Sequence, residues 1–240
     1  DRFKVLVTGK DKAGDFYRKN FASMFQYCSN RIPEITDAFY KIDDAMKAGF
    51  GWENGPFEIW DAIGVEKGIE LMKAEGFQPA SWVTDMLASG NTSFYSVKDG
   101  ATHFYSITNK KVEKIPGQDA FIILNNIRES KKIWNNSDSI ITDLGDGIIN
   151  LEFTSKMNSI GAGVLQGINK AIDMAEKDYN GLVIGNQGAN FSVGANLGMI
   201  FMMAVEQEYD ELNIAIKMFQ DTMMRCRYSA IPVIAAPHGM

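Results

Sequence analysis

The sequence predicts an α+β chain: an all-helical first module, a hairpin with a polar junction, and an α/β module that opens in ββα order. Three observations carry this reading. Between residues 15 and 90 apolar side chains recur at helical spacing, punctuated by Pro33, Gly49, Gly64, Gly76 and Gly90. Near residue 92 the texture changes, and Asp99-Gly100 separates two short runs of strand-forming residues. From Ser139 onward the order reads strand, strand, helix, strand, helix, helix, strand. The expected divisions are residues 1–91, 92–136 and 137–240.

Taken in order, Val5-Leu6-Val7 reads as a short strand before Gly9. Asp15 to Asn30 sets Phe16, Phe21, Phe25 and Cys28 at roughly helical spacing, and Pro33 breaks the run. Asp43 is expected to cap a short helix that ends at Gly49. Gly49 to Pro56 is a glycine-rich turn, and Pro56 suits the first position of the next helix, through Ile63. Val65 to Ala74 forms another helix, and Ser81 is expected to cap one through Ala88. The runs Phe94 to Val97 and Ala101 to Ile107 form a hairpin. Residues 108–136 are polar and lysine-rich, with a short strand expected at Phe121 to Leu124. Ser139 to Asp143 and Ile148 to Phe153 pair around Leu144-Gly145-Asp146-Gly147. The helix Gly161 to Lys177 puts Val164, Leu165, Ile168, Ala171, Ile172 and Ala175 on one face. Gly181 to Gly185 is a buried strand. A helix starts near Gly194–Ala195 and runs to Val205, another spans Tyr209 to Tyr228, and Val233 to Ala236 closes the order.

Composition narrows the function. The 240 residues are 45% hydrophobic and 22% charged, with a net charge of -6. That balance speaks against broad nucleic-acid binding. Residues 1–136 hold 18 acidic and 18 basic side chains, so the later part, with 12 and 6, carries the whole excess. The longest apolar run, Leu197 to Val205, is far short of the roughly 20 residues of a membrane span. Neither nucleic acid nor membrane is an expected partner. Cys28 and Cys226 lie far apart without metal or redox spacing and read as reduced thiols of a cytoplasmic protein.

Most candidate motifs have bland readings. Gly9 and Gly14 have the spacing of the first part of a phosphate loop, but Asp15-Phe16 stands where Lys-Ser/Thr belongs, and Asp15 would repel phosphate. His103 and His238 show no triad or metal pattern, and no metal is expected. Asp43-Asp44 and Glu206/Glu208/Asp210 read as caps and solvated helix faces. Asn190 to Leu197 differs: a glycine-bearing loop leads from a buried strand into an apolar helix. Unpaired amides there can hold an oxyanion or a carbonyl oxygen, although a plain packed loop accounts for the segment as well.

Two stretches carry family resemblances. Ile149 to Ser159, the helix after it, Phe191-Ser192-Val193-Gly194-Ala195-Asn196-Leu197 and Ile231 to Gly239 resemble, in that order, the first half of the enoyl-CoA hydratase (crotonase) superfamily. Ile42 to Gly64, with Gly49, Gly51, Gly55, Pro56 and Asp61, resembles the C-terminal helical domain of 3-hydroxyacyl-CoA dehydrogenases. The resemblances imply an all-α dehydrogenase C-terminal-like module followed by an incomplete α/β crotonase-like module. They suggest a piece of a bifunctional fatty-acid β-oxidation enzyme that hydrates 2-enoyl-CoA and oxidises 3-hydroxyacyl-CoA with NAD. They imply that the Ala195 N–H is an oxyanion donor. They place Lys156, Asn158, Ser159, Ser192, Gly194, Ala195, Asn196 and Leu197 around an acyl-CoA thioester. The NAD-binding domain, the second oxyanion glycine and two catalytic glutamates of those families are expected outside this stretch, so the chain alone is expected to lack turnover. The remaining domains of a parent protein are the expected partners, and homo-oligomerisation stays open. The alternative reading is a non-catalytic scaffold that positions the catalytic domains.

Overall fold

A computed structural model describes residues 2–188 and 190–239. The chain divides into two compact units, with the boundary between Phe121 and Ile122. The stretch 92–136 is shared between them: its first strands belong to the helical unit and its end to the second.

The first unit holds α1 (Arg2–Thr8), α2 (Lys12–Asn30), α3 (Tyr40–Phe50), α4 (Pro56–Ile63), α5 (Val65–Ala74) and α6 (Ser81–Ala88). A three-stranded antiparallel sheet follows, ordered β1 (Tyr95–Lys98), β2 (Ala101–Ser106), β3 (Lys111–Lys114). Its core is largely aromatic. Phe25 stacks on Trp60 at 4.7 Å between ring centres, and Phe39 packs against Phe57, Trp82 and Phe94. The two buried indoles keep polar partners: Trp60 Nε1 donates to Val65 O at 3.0 Å and Trp82 Nε1 to Ser29 O at 3.0 Å.

Several local expectations change here. Val5 to Val7 is helical, not a strand, because α1 lays its buried Val7 on the aromatic core. The Arg18 guanidinium closes the end of α1 by donating to the carbonyls of Val7 and Gly9. Asp43 lies inside α3 rather than at its start. Its carboxylate caps the following helix instead, accepting from Phe57 N at 2.9 Å and Glu58 N at 3.1 Å. It also accepts the Tyr95 hydroxyl at 2.7 Å. Ser81 is the first residue of α6; Ala80 is its cap. The sheet gains a third strand, β3, that the lysine-rich texture hid.

The second unit holds α7 (Leu124–Lys131), β4 (Lys132–Asn135), β5 (Ser139–Gly145), β6 (Ile148–Phe153), α8 (Ala162–Asp178), β7 (Gly181–Ile184), α9 (Leu197–Val205), α10 (Tyr209–Tyr228) and β8 (Val233–Ala235). The strands form one five-stranded sheet in sequence order, antiparallel from β4 to β6 and parallel from β6 to β8. The expected ββα order is present. Where a strand was expected at Phe121 to Leu124, Leu124 instead begins α7, whose Leu124 and Ile127 are buried. The strand pairing falls later, at β4.

Central β6 separates two environments by its alternation. Ile149, Leu151 and Phe153 join the buried face of α8 in one core. Asn150 and Glu152, also buried, face the other way. There Glu152 binds Arg128 of α7 through two bonds, 2.6 and 3.1 Å long. No described helix is long and apolar enough to cross a membrane.

Candidate functional site

Parallel pairing builds the site. Leu151 of β6 lies opposite Ile184 of β7, and Ile184 opposite Ala235 of β8. The segments that follow these strands therefore leave the same edge of the sheet, at the carboxyl ends where α/β folds place ligands. They are the turn 155–159, the loop residues 185–188 and 190–196, and the stretch 236–238.

Hydrogen bonds tie the three segments together. Asn158 Nδ2 donates to Asn190 O at 3.1 Å, and Ser192 Oγ donates to Asn158 O at 2.6 Å. Ser192 Oγ also accepts from Gly194 N at 3.0 Å. Phe191 N donates to His238 O at 3.0 Å, and His238 Nε2 stands 2.9 Å from Gly188 O. The turn itself is tight: Met157 and Asn158 take the left-handed backbone region at φ 56° and 55°. Asparagine tolerates that region, whereas methionine there costs about 1–3 kcal/mol.

Ala195 sits at the centre of this geometry, but not on the helix. α9 begins at Leu197, and Asn196 caps it by accepting from Met199 N at 3.2 Å. Gly194, at φ 83°, turns the chain just before Ala195, and a side chain there would be strained. Ala195 instead forms a parallel bridge with Ile160, in which Ile160 N donates to Gly194 O at 2.8 Å. In a trans peptide the carbonyl and the following N–H point in opposite directions. Holding the Gly194 carbonyl against Ile160 therefore turns the Ala195 N–H away from that segment. Among the described residues that N–H has no hydrogen-bond partner.

Beside it opens a cavity of about 240 Å³, lined by Ile160, Leu165, Ala195, Met199, Ile216 and Phe219 among others. The sequence-selected residues thus separate by role. Ser192, Asn158 and Asn196 spend their polar groups on the loop and the helix cap. Lys156 is exposed, Ser159 stays in the turn, and Leu197 is 74% exposed at the start of α9. Ile160 and Asn186, which hold the loop in this arrangement, are residues that sequence reasoning passed over. Asn186 could have drawn notice as a polar residue directly after the buried run Gly181 to Gly185.

The first unit's carboxylates serve the fold. Asp61 accepts from Phe94 N at 2.8 Å and Tyr95 N at 2.9 Å. Burial pushes Asp43 up to about 6 and Asp61 up to about 7, against the hydrogen bonds that favour their charged forms. Burial beside Asp43 holds the Tyr95 hydroxyl protonated, far above the usual phenol range. Burial also pushes the Cys28 thiol up to about 11, which keeps it unreactive. The glycine pair Gly9–Gly14 does not fit a phosphate: Asp11 already accepts from Gly14 N at 2.8 Å, and a carboxylate stands where the anion would lie. Among the described residues no three metal-ligating side chains gather.

The chain is 41% identical over all 240 residues to a Bacillus subtilis (strain 168) protein named as a 3-hydroxyacyl-CoA dehydrogenase. That match takes in the whole of this chain. It covers 30% of that relative's length. A Rickettsia felis protein named as a fatty acid oxidation complex trifunctional enzyme is 25% identical over 235 residues, again with 30% of its length covered. A solved crotonase-type enoyl-CoA hydratase/isomerase from Legionella pneumophila overlays 43% of this chain and 40% of its own at a TM-score of 0.38 and 25% identity. No protein-family model matches.

Proposed function

We propose that the second unit supplies part of an acyl-CoA site in a fatty-acid β-oxidation enzyme, with the Ala195 N–H donating to the thioester carbonyl oxygen. The observation that carries this is the free Ala195 amide, oriented by the Ile160–Gly194 hydrogen bond and set beside an apolar cavity. Hydration of a 2-enoyl-CoA gathers negative charge on the thioester oxygen as water adds at C3. A fixed N–H stabilises that charge without reorganising at the moment of reaction. The cavity wall of Ile160, Leu165, Met199, Ile216 and Phe219 suits an acyl chain. Exposed Lys156 suits a coenzyme A phosphate.

The oxidation of the 3-hydroxyacyl-CoA with NAD belongs, in this proposal, to the larger protein. No step of that reaction is assigned to this chain. For the first unit a scaffold role is favoured by a specific observation. Asp43 and Asp61, whose carboxyls burial pushes up, are both engaged in fastening helices and strand.

Titrating the chain separately with butyryl-CoA and with NAD tests the proposal. Binding of butyryl-CoA, abolished by filling the cavity with Ala162→Trp, and no binding of NAD are the expected results. Binding of NAD without butyryl-CoA would overturn it.

A further inference from the structure

We infer that Asn186 is a positioning residue for the Ala195 N–H, an inference that rests on the oxyanion role proposed above. Asn186 follows β7 and is only 6% exposed. Its side chain makes two short bonds to backbone. Oδ1 accepts from Phe153 N at 2.7 Å, and Nδ2 donates to Phe191 O at 2.7 Å. The first partner is the last residue of β6, in the rigid centre of the sheet. The second lies in the loop, four residues before Ala195. One buried amide thus spans from the sheet to the loop.

The partners fix its orientation. A backbone N–H needs the oxygen and a backbone carbonyl needs the NH₂, so neither end can exchange. Phe191 is consequently held at both backbone groups, its carbonyl by Asn186 and its N–H by His238 O at 3.0 Å. Beyond Phe191 the chain is held only to the turn after β6, at Ser192, whose Oγ donates to Asn158 O at 2.6 Å, and at Gly194, whose carbonyl meets Ile160 N. Gly194 is also the residue with the freest backbone in the segment. Release of Phe191 cuts the tie to the centre of the sheet and leaves the Gly194–Ala195 peptide held by the turn alone, so the direction of the Ala195 N–H loosens with that turn. Asn186 itself does not line the cavity, and its side-chain bonds go to Phe153 and Phe191, not to the Ala195 amide.

Aspartate tests this at constant size. In Asn186→Asp the bond from Phe153 N remains, while the second carboxylate oxygen faces Phe191 O and repels it. The probe is butyryl-CoA labelled with ¹³C at the thioester carbonyl, bound to the full chain and read by ¹³C NMR. In the unsubstituted protein the bound carbonyl resonance moves downfield, because a hydrogen bond to oxygen withdraws electrons from carbon.

In Asn186→Asp the affinity stays within about threefold, while at least about half of that shift is lost, as a misaligned donor requires. Should the aspartate variant fail to fold, Asn186→Ala, which removes both bonds and adds no charge, gives the same reading. A variant that folds and keeps the full shift overturns the role of Asn186 and leaves the oxyanion reading intact. Absence of any shift in the unsubstituted protein overturns the oxyanion reading and the role of Asn186 with it.

Discussion

The junction of α3 and α4 makes a sharp test, because two physical effects of opposite sign meet at Gly55. Its backbone, at φ -79° and ψ 173°, is open to any residue. Chain entropy alone therefore says that Gly55→Ala stabilises the protein by about 0.4–1 kcal/mol. Packing says the reverse. A Cβ at Gly55 would stand 2.3 Å from the Asp43 Cα, 2.3 Å from its Cβ and 2.4 Å from its Cγ. These are helix backbone and the root of a side chain, so relief requires α3 and α4 to separate. Separation stretches the bonds from Phe57 N and Glu58 N to the buried Asp43 carboxylate.

Overpacking costs about 1–3 kcal/mol. A lost hydrogen bond to a charged group adds about 1.5–3 kcal/mol. The net is a destabilisation of about 2–5 kcal/mol, or on the order of 10 °C in the first unit's Tm. Trp60 and Trp82 are both buried in that unit while Trp134 packs on the other unit's core, so in a Trp134→Phe background tryptophan fluorescence during thermal or urea unfolding reports the first unit. An unchanged or raised midpoint for Gly55→Ala would refute the claim that close approach to Asp43 selects glycine.

Asp43 and Asp61 also set a pH dependence. Both bind their protons more tightly folded than unfolded, so their contribution is greatest below about pH 4 and is lost as the pH rises through about 6 and about 7. Urea unfolding of the first unit is expected to show stability falling across that window, and a flatter profile in Asp61→Asn; a rise with pH would contradict the burial argument. Ala195→Pro removes the N–H and should abolish the carbonyl shift of bound ¹³C-butyryl-CoA, whereas Ala195→Ser should retain it. In an assembled hydratase that loss corresponds to about 10²–10³ in kcat, and a proline variant that hydrates normally would end the oxyanion assignment. The chain alone is expected to show no hydration of crotonyl-CoA, followed as loss of absorbance of the conjugated thioester; measurable turnover would place a catalytic carboxylate within these residues. Limited chymotrypsin digestion should cut first at exposed Phe121, at the boundary between the units; a first cut within residues 30–76 would show the helical unit to be the looser one.

Much of the architecture was legible because its signals are local. Helical spacing, Pro56 at a helix start, Asp99-Gly100 in the hairpin and the apolar face of α8 each declare themselves within a few residues. The second-unit order and the segments that flank the site were readable on the same terms. Errors arose where a distant partner overrode local preference. Val5-Leu6-Val7 has strand-forming composition, yet packing on the core and the reach of Arg18 make it a helix. Asp43 resembles the cap of its own helix, yet Phe57 and Glu58 lie 14 and 15 residues on and claim it.

The site divides the same way. That a small-residue loop with Ala195 follows a buried strand was evident from the residues alone. What the Ala195 N–H does was not. Its direction depends on Ile160, 35 residues earlier, and its loop on Asn186 and His238. By itself, the sequence determined the α+β class, most elements and the candidate loop, because periodicity, turn chemistry and capping act over a few residues. Only the tertiary structure decided which peptide group is left unpaired and where it points, because in the parallel arrangement of β6, β7 and β8 the groups that fix it come from three separate stretches of chain.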